Sequence, residues 1–116
     1  MNLDLPDLSG KTYLLTGSTS GVGRDAARRL GARGATVLVH GRDADAGRAV
    51  VREVADAGGN AAFLRADFDS LDAVRDLAAT VREEHGRLDA LCNNAGLFTT
   101  RRRESEDGYE LTFAVN

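Results

Sequence analysis

The sequence predicts an α/β fold, an open, doubly wound parallel sheet whose strands lie in the order 3-2-1-4. Three observations carry this. Short apolar runs alternate with longer stretches of helical periodicity along all 116 residues, and such alternation makes each crossover join parallel strands. The run Ala35–His40 (ATVLVH) is apolar on both faces, as a strand covered by helices on both sides must be. A glycine-rich stretch separates the first run from the first helix, where such sheets open a crevice beside the first and fourth strands.

The elements follow in order. Pro6 and Ser9-Gly10 mark a lead-in and a turn. Lys11–Thr16 (KTYLLT) is the first strand, ended by glycines. Arg24–Arg33 is the first helix, with Ala26, Ala27 and Leu30 on one face and Gly34 as its stop. After the second strand, 35–40, Asp43 caps a helix to about Ala57 that lines up Ala46, Val50, Val51 and Val54 and closes at Gly58-Gly59. Ala61–Ala66 is the third strand. Ser70 caps a third helix with Leu71, Val74, Leu77, Ala78 and Val81 inward and Gly86 as its stop. Leu88–Cys92 is the fourth strand, Asn93–Glu104 a loop, and Ser105 the expected cap of a fourth helix reaching Asn116.

Composition narrows the classes of function. A hydrophobic share of 42% and a charged share of 28% are ordinary for a globular protein. The net charge of −3, with both signs scattered, argues against a nucleic-acid binder. No apolar run is long enough to span a bilayer, and the start MNLDLPDLSGK has no basic stretch leading into an apolar one, so no signal peptide is expected. Cys92 is the sole cysteine, which excludes an internal disulfide and makes a cytoplasmic setting the simplest expectation. It is expected to be a packed thiol at a strand end. His85 is expected to favour the dipole at a helix C-terminus, Arg101–Arg103 to be a solvated loop, and no cluster has metal-ligand spacing.

Chemistry concentrates in Thr16-Gly17-Ser18-Thr19-Ser20-Gly21-Val22-Gly23, between the first strand and first helix. Gly17 permits a tight turn, while Gly21 and Gly23 let backbone approach a pyrophosphate and let the helix pack on the sheet. Amides at the helix N-terminus then face the phosphates, with the hydroxyls of Ser18, Thr19 and Ser20 as further donors. A glycine turn without a ligand is the plainer reading; its place in a strand–turn–helix unit speaks for the phosphate site. Asn93-Asn94-Ala95-Gly96 follows the fourth strand, at the other side of the same crevice.

The spacing T-G-x-x-x-G-x-G, followed by N-N-A-G, resembles the short-chain dehydrogenase/reductase family in its single-domain form. The family's extended branch more often has T-G-x-x-G-x-x-G, which this chain lacks. The resemblance implies a Rossmann fold, NAD(P) as cofactor, and an alcohol or carbonyl as the full protein's small-molecule substrate. It implies that Asn94, Ala95 and Gly96 line the ribose and nicotinamide end. It places Asp67 and Phe68 at the adenine, although Asp67 also reads as a polar strand end. Arg42, in His40-Gly41-Arg42-Asp43, resembles the basic residue that meets the 2′-phosphate of NADP(H), so NADP(H) is favoured over NAD(H); a solvated loop residue is the competing reading. The tail Asp107–Asn116 resembles retinol dehydrogenases and their relatives. Asn116 aligns with the asparagine of the family's Asn-Ser-Tyr-Lys tetrad, which helps hold a water in a proton relay; in this chain alone it is also simply the last residue.

The resemblance covers the chain from the first strand to Asn116, so residues 1–116 are expected to be one cofactor-binding domain, incomplete at its C-terminus and truncated before the later strands. Neither Tyr13 nor Tyr109 has a lysine four residues on, so the family's Tyr-x-x-x-Lys pair and its acid–base chemistry are absent. Two alternatives stay open, a non-catalytic nucleotide-binding module and an interaction protein that keeps the fold. An open edge at 88–92 leads to an expectation of self-association.

Overall fold

The computed structural model describes residues 6–116; residues 1–5, on which the reading of the extreme N-terminus falls, lie outside the described residues. The order of elements is β1 (Thr12–Leu15), α1 (Gly21–Ala32), β2 (Thr36–Gly41), α2 (Ala44–Asp56), β3 (Asn60–Arg65), α3 (Leu71–His85), β4 (Ala90–Cys92) and α4 (Leu111–Val115). The strands form one sheet in the order β3-β2-β1-β4, every pairing parallel, with Leu14 opposite both Leu38 and Leu91. This is the doubly wound Rossmann topology that the alternation implies.

Strand periodicity divides the core in two. Leu15, Val37 and Val39 face one side and pack with Ala27 of α1 and Val50 and Val54 of α2. Leu14 and Leu38 face the other and pack with Ala66 and with Leu77 and Val81 of α3. β2 is the strand buried on both faces, which is why its sequence lacks a polar alternation. The inward stripe on α2 is the one the helical spacing selects; on α3 Leu77 and Val81 are buried, but Ala78, expected inward, is exposed and Ala73 packs against the core. Asp43 caps α2 by accepting the Asp45 and Ala46 amides, and Ser70 caps α3 by accepting the Ala73 amide.

Three further expectations need correction. α1 begins at Gly21, ahead of Arg24. Glycine is a poor helix former, but a Cβ at residue 23 would lie 2.5 Å from the Gly17 carbonyl oxygen, so close packing on the loop, not propensity, sets this start. Ser105 does not cap the fourth helix. It is buried, its hydroxyl accepts the Tyr109 amide at 3.2 Å, and a turn joins it to Tyr109 beside an antiparallel bridge between Glu104 and Glu110. Serine's local bonds favour that turn; the cap of α4 is Glu110, whose carboxylate accepts the amides of Thr112 and Phe113. Cys92 is exposed rather than packed, because β4 pairs with β1 alone and forms a sheet edge.

Candidate functional site

The site grows from the carboxyl end of β1. Thr16 is buried, and its hydroxyl oxygen accepts the amides of Asn94 at 3.0 Å and Ala95 at 2.9 Å while donating to the Cys92 carbonyl. One side chain thereby fixes the turn after β4 to the end of β1. Asn94 returns the contact through Nδ2, which donates to the carbonyls of Thr16 and Gly17. The two motifs, far apart in sequence, are one hydrogen-bonded unit.

Two glycines are set by this closeness. Gly17 has φ +62°, and a Cβ there would lie 2.7 Å from the Ala95 Cα. At Gly23 a Cβ would meet both the Gly17 carbonyl and Asn94 Nδ2. Gly21 differs, since open space surrounds it but its φ of +56° disfavours side chains with a Cβ.

Beyond the loop, α1 presents its first amides without a side-chain cap, although Ser20 occupies the N-cap position. The other helices, α2, α3 and α4, are each capped by a side chain. Uncapped amides and the helix dipole favour an anion at that end.

A cavity of about 370 Å³ opens there, across the carboxyl ends of all four strands. Of the sequence-derived residues, Gly17, Thr19, Ser20, Val22, Arg42, Asp67, Phe68, Asn94, Ala95 and Gly96 line it. Gly21 and Gly23 shape the start of α1 behind this wall. Ser18 departs from its expected role as a phosphate donor. It is fully buried, and its hydroxyl donates to the Leu15 carbonyl at 2.7 Å and accepts the His40 amide at 3.0 Å, so it serves the sheet. The Asp67 carboxylate accepts the Asp69 amide at 2.9 Å while still lining the cavity. Arg42 is exposed and without an ion-pair partner among the described residues.

Asn116 sits behind the cavity rather than on it. Its Oδ1 accepts the Leu97 amide at 2.7 Å and its Nδ2 donates to the Leu97 carbonyl at 3.0 Å. Both polar atoms therefore hold the segment after Gly96 against the end of α4, and neighbouring Val115 lines the cavity.

Sequence reasoning missed His40, Gly41, Ala66, Leu97 and Val115, which also line the cavity. The signal for the first three was their position at the ends of the second and third strands. His40 is buried. Its Nδ1 accepts the Gly17 amide at 2.9 Å, and its Nε2 lies 2.9 Å from the Ala66 carbonyl. Its ring stacks on Phe68 at a centroid distance of 4.2 Å. Burial pushes its pKa below the usual imidazole value, against opposing pulls from the Ala66 carbonyl and Asp67. Among the described residues no group of His, Cys, Asp and Glu side chains is arranged to hold a metal, and no helix is long and apolar enough to cross a membrane.

Comparison with known proteins agrees with this geometry. A family model described as short chain dehydrogenase matches residues 11–116. A 3beta-hydroxysteroid dehydrogenase of Mediterraneibacter gnavus is 40% identical over 105 residues, covering 87% of this chain and 38% of that protein. Among solved structures, a metagenomic short-chain oxidoreductase in complex with NADP is 43% identical with a TM-score of 0.75, over 78% of this chain and 41% of that one. An NADH-dependent reductase complexed with NAD is 36% identical with a TM-score of 0.70, over 78% of this chain and 38% of that one. The chain thus spans well under half the length of the proteins it is similar to.

Proposed function

The chain belongs to the short-chain dehydrogenase family, and on that premise we propose that it is the cofactor-holding part of an NAD(P)-dependent oxidoreductase acting on an alcohol or a carbonyl group. The observation that carries this is the uncapped start of α1 beside the cavity. The residues present fit a dinucleotide. The first amides of α1 and the hydroxyls of Thr19 and Ser20 suit its pyrophosphate. The N-N-A-G turn lines the far end of the cavity, and Asp67 and Phe68 close the near end. The bound cofactor would supply the hydride chemistry. This chain's own residues bind it and orient it against the β4 turn, whose position Thr16 and Asn116 fix.

NADP(H) is the favoured form. Arg42 lies on the cavity without an ion-pair partner among the described residues, and a guanidinium fork suits a 2′-phosphate. The solved neighbours include one complexed with NADP and one with NAD, so Arg42 is the support for the choice. The tail 107–116 supports a place among retinol-dehydrogenase-like members. Within these 116 residues no Tyr-x-x-x-Lys pair occurs, which favours a second reading of the chain by itself, a nucleotide-binding module without turnover.

Titration with NADPH and NADH, followed by calorimetry and nicotinamide fluorescence, tests both readings. Binding is expected in the wild type and lost in Gly21→Val, because a β-branched residue does not adopt the loop's backbone there. No oxidation of NADPH is expected with a panel of aldehydes and ketones. Failure of both dinucleotides to bind would overturn the assignment, and turnover that Gly21→Val abolishes would overturn the module.

A further inference from the structure

Among the described residues, the His40 imidazole is the one buried ionisable group in the wall of the cavity, and it touches all three pieces that shape the cavity's near end. Its two ring nitrogens have fixed roles. A backbone amide can only donate, so Nδ1 must be bare to accept from Gly17 at 2.9 Å. The Ala66 carbonyl can only accept, so Nε2 carries the proton at 2.9 Å. The backbone of the same residue is pinned as well, its amide donating to Ser18 Oγ and its carbonyl accepting the Ser18 amide. The first two residues of the glycine loop, Gly17 and Ser18, are thus bound to the end of β2, and the end of β2 is bound through the ring to the end of β3.

We propose that His40 is a positioning residue for the dinucleotide: as a neutral ring it holds the glycine loop in the conformation that leaves the first amides of α1 free, and a proton on Nδ1 releases that hold. The proposal rests on the reading of the cavity as a dinucleotide site. With Nδ1 protonated, two donors would face each other at Gly17, and a charge would sit against Phe68 in a buried position. Two other ionisable side chains line the cavity. Asp67, at the end of β3, draws a proton toward the ring, and Arg42, just past β2, brings a like charge to the same cavity. The β1–α1 loop contributes no ionisable group, and α3, packed on the same sheet face, contributes Leu77 and Val81. Burial outweighs the Ala66 carbonyl and Asp67 in holding the ring neutral, so the loop is held at neutral pH and loosened only as the pH falls below the ordinary imidazole value.

The experiment uses the 116-residue chain labelled with ¹⁵N, with His40→Asn and His40→Leu beside it. Asparagine keeps an oxygen near the place of Nδ1 but does not titrate; leucine removes both bonds. NADPH affinity is measured from pH 8 down to 5, and the Gly17 amide and imidazole nitrogen resonances are followed over the same range. The wild type is expected to lose about tenfold more affinity toward acid than His40→Asn, the scale of one lost hydrogen bond. Ionisation of the NADPH phosphate is common to both chains, so the comparison removes it. The Gly17 amide shift is expected to follow the ring, and His40→Leu to bind weakly at every pH. Equal acid dependence in wild type and His40→Asn, or a Gly17 amide indifferent to the ring, overturns the proposal and leaves the dinucleotide site standing. Absence of NADPH binding at every pH overturns both.

Discussion

Thr16 shows how much of this site depends on one hydroxyl. Two amides from the turn after β4 share it as their acceptor. Thr16→Val keeps the shape and removes the oxygen, leaving the Ala95 amide without its acceptor in a partly buried place, while the Asn94 amide keeps the Cys92 carbonyl at 3.0 Å. An unsatisfied buried group costs about 1–3 kcal/mol, so a loss near the lower end of that range is expected in urea unfolding, with weaker NADPH binding. A loss under about 0.5 kcal/mol, the level of ordinary surface changes, would mean that other contacts fix the turn. Arg42 belongs to the same scale but to binding rather than stability. It is exposed and makes no ion pair among the described residues, so Arg42→Ala should leave the fold unchanged. A charge-assisted bond to phosphate contributes about 1.5–3 kcal/mol, roughly tenfold to a hundredfold in affinity. Calorimetric titration should show that loss for NADPH and almost none for NADH; equal loss for both would assign Arg42 to the loop.

Among the elements, the entry into β1 is held by a charge. Asp89, just before β4, accepts the Thr12 amide at 2.8 Å and is flanked by Arg87 at 2.8 Å and Lys11 at 3.9 Å. The Thr12 amide above all, then Arg87, holds its carboxyl below the usual carboxylate value. The folded value being the lower one, the unfolded chain binds the proton more readily. The carboxylate's contribution is therefore complete above the unfolded value of about 4 and is lost as the pH falls below it. Urea midpoints measured from pH 6 to 2 should drop, and Asp89→Asn should drop less steeply, since asparagine still accepts the Thr12 amide but does not titrate. Asp25, Glu53 and Glu110 are lowered by their own partners and leave a common slope in both chains. Parallel curves would show that β1 and the approach to β4 do not depend on this charge.

At the scale of the whole molecule, the sheet has an edge at β4 that is short and unguarded. Leu91 there is 52% exposed, and Phe98 and Phe113 are 84% and 78% exposed. A strand edge offers unpaired amides and carbonyls to another chain, and contiguous apolar surface adds a driving force for association. The 116-residue chain is therefore expected to self-associate in solution. Light scattering and thermal melting over a range of concentrations measure this; the melt should depend on concentration, and Leu91→Lys should shift the population toward monomer. A monodisperse wild type with a concentration-independent melt would remove the argument.

The sequence by itself determined the sheet and the place of the site. Strand order, the face of α2 and the meeting of T-G-x-x-x-G-x-G with N-N-A-G follow from periodicity and from glycine spacing, which are local properties of the chain. Boundaries near the site did not follow. Gly21–Gly23 has weak helix propensity and is helical because of what it packs against; Ser105 has the look of a cap and forms a turn because Tyr109 returns beside it. Roles were subtler still. Ser18 reads as a phosphate donor, yet its hydroxyl is used up between β1 and β2. Asn116 reads as a reacting group's neighbour, and its amide clamps the Leu97 backbone. His40 carried no motif at all. Only the tertiary structure decided these three, because a hydrogen bond between residues distant in sequence depends on direction and burial, and neither is written in the spacing of one segment.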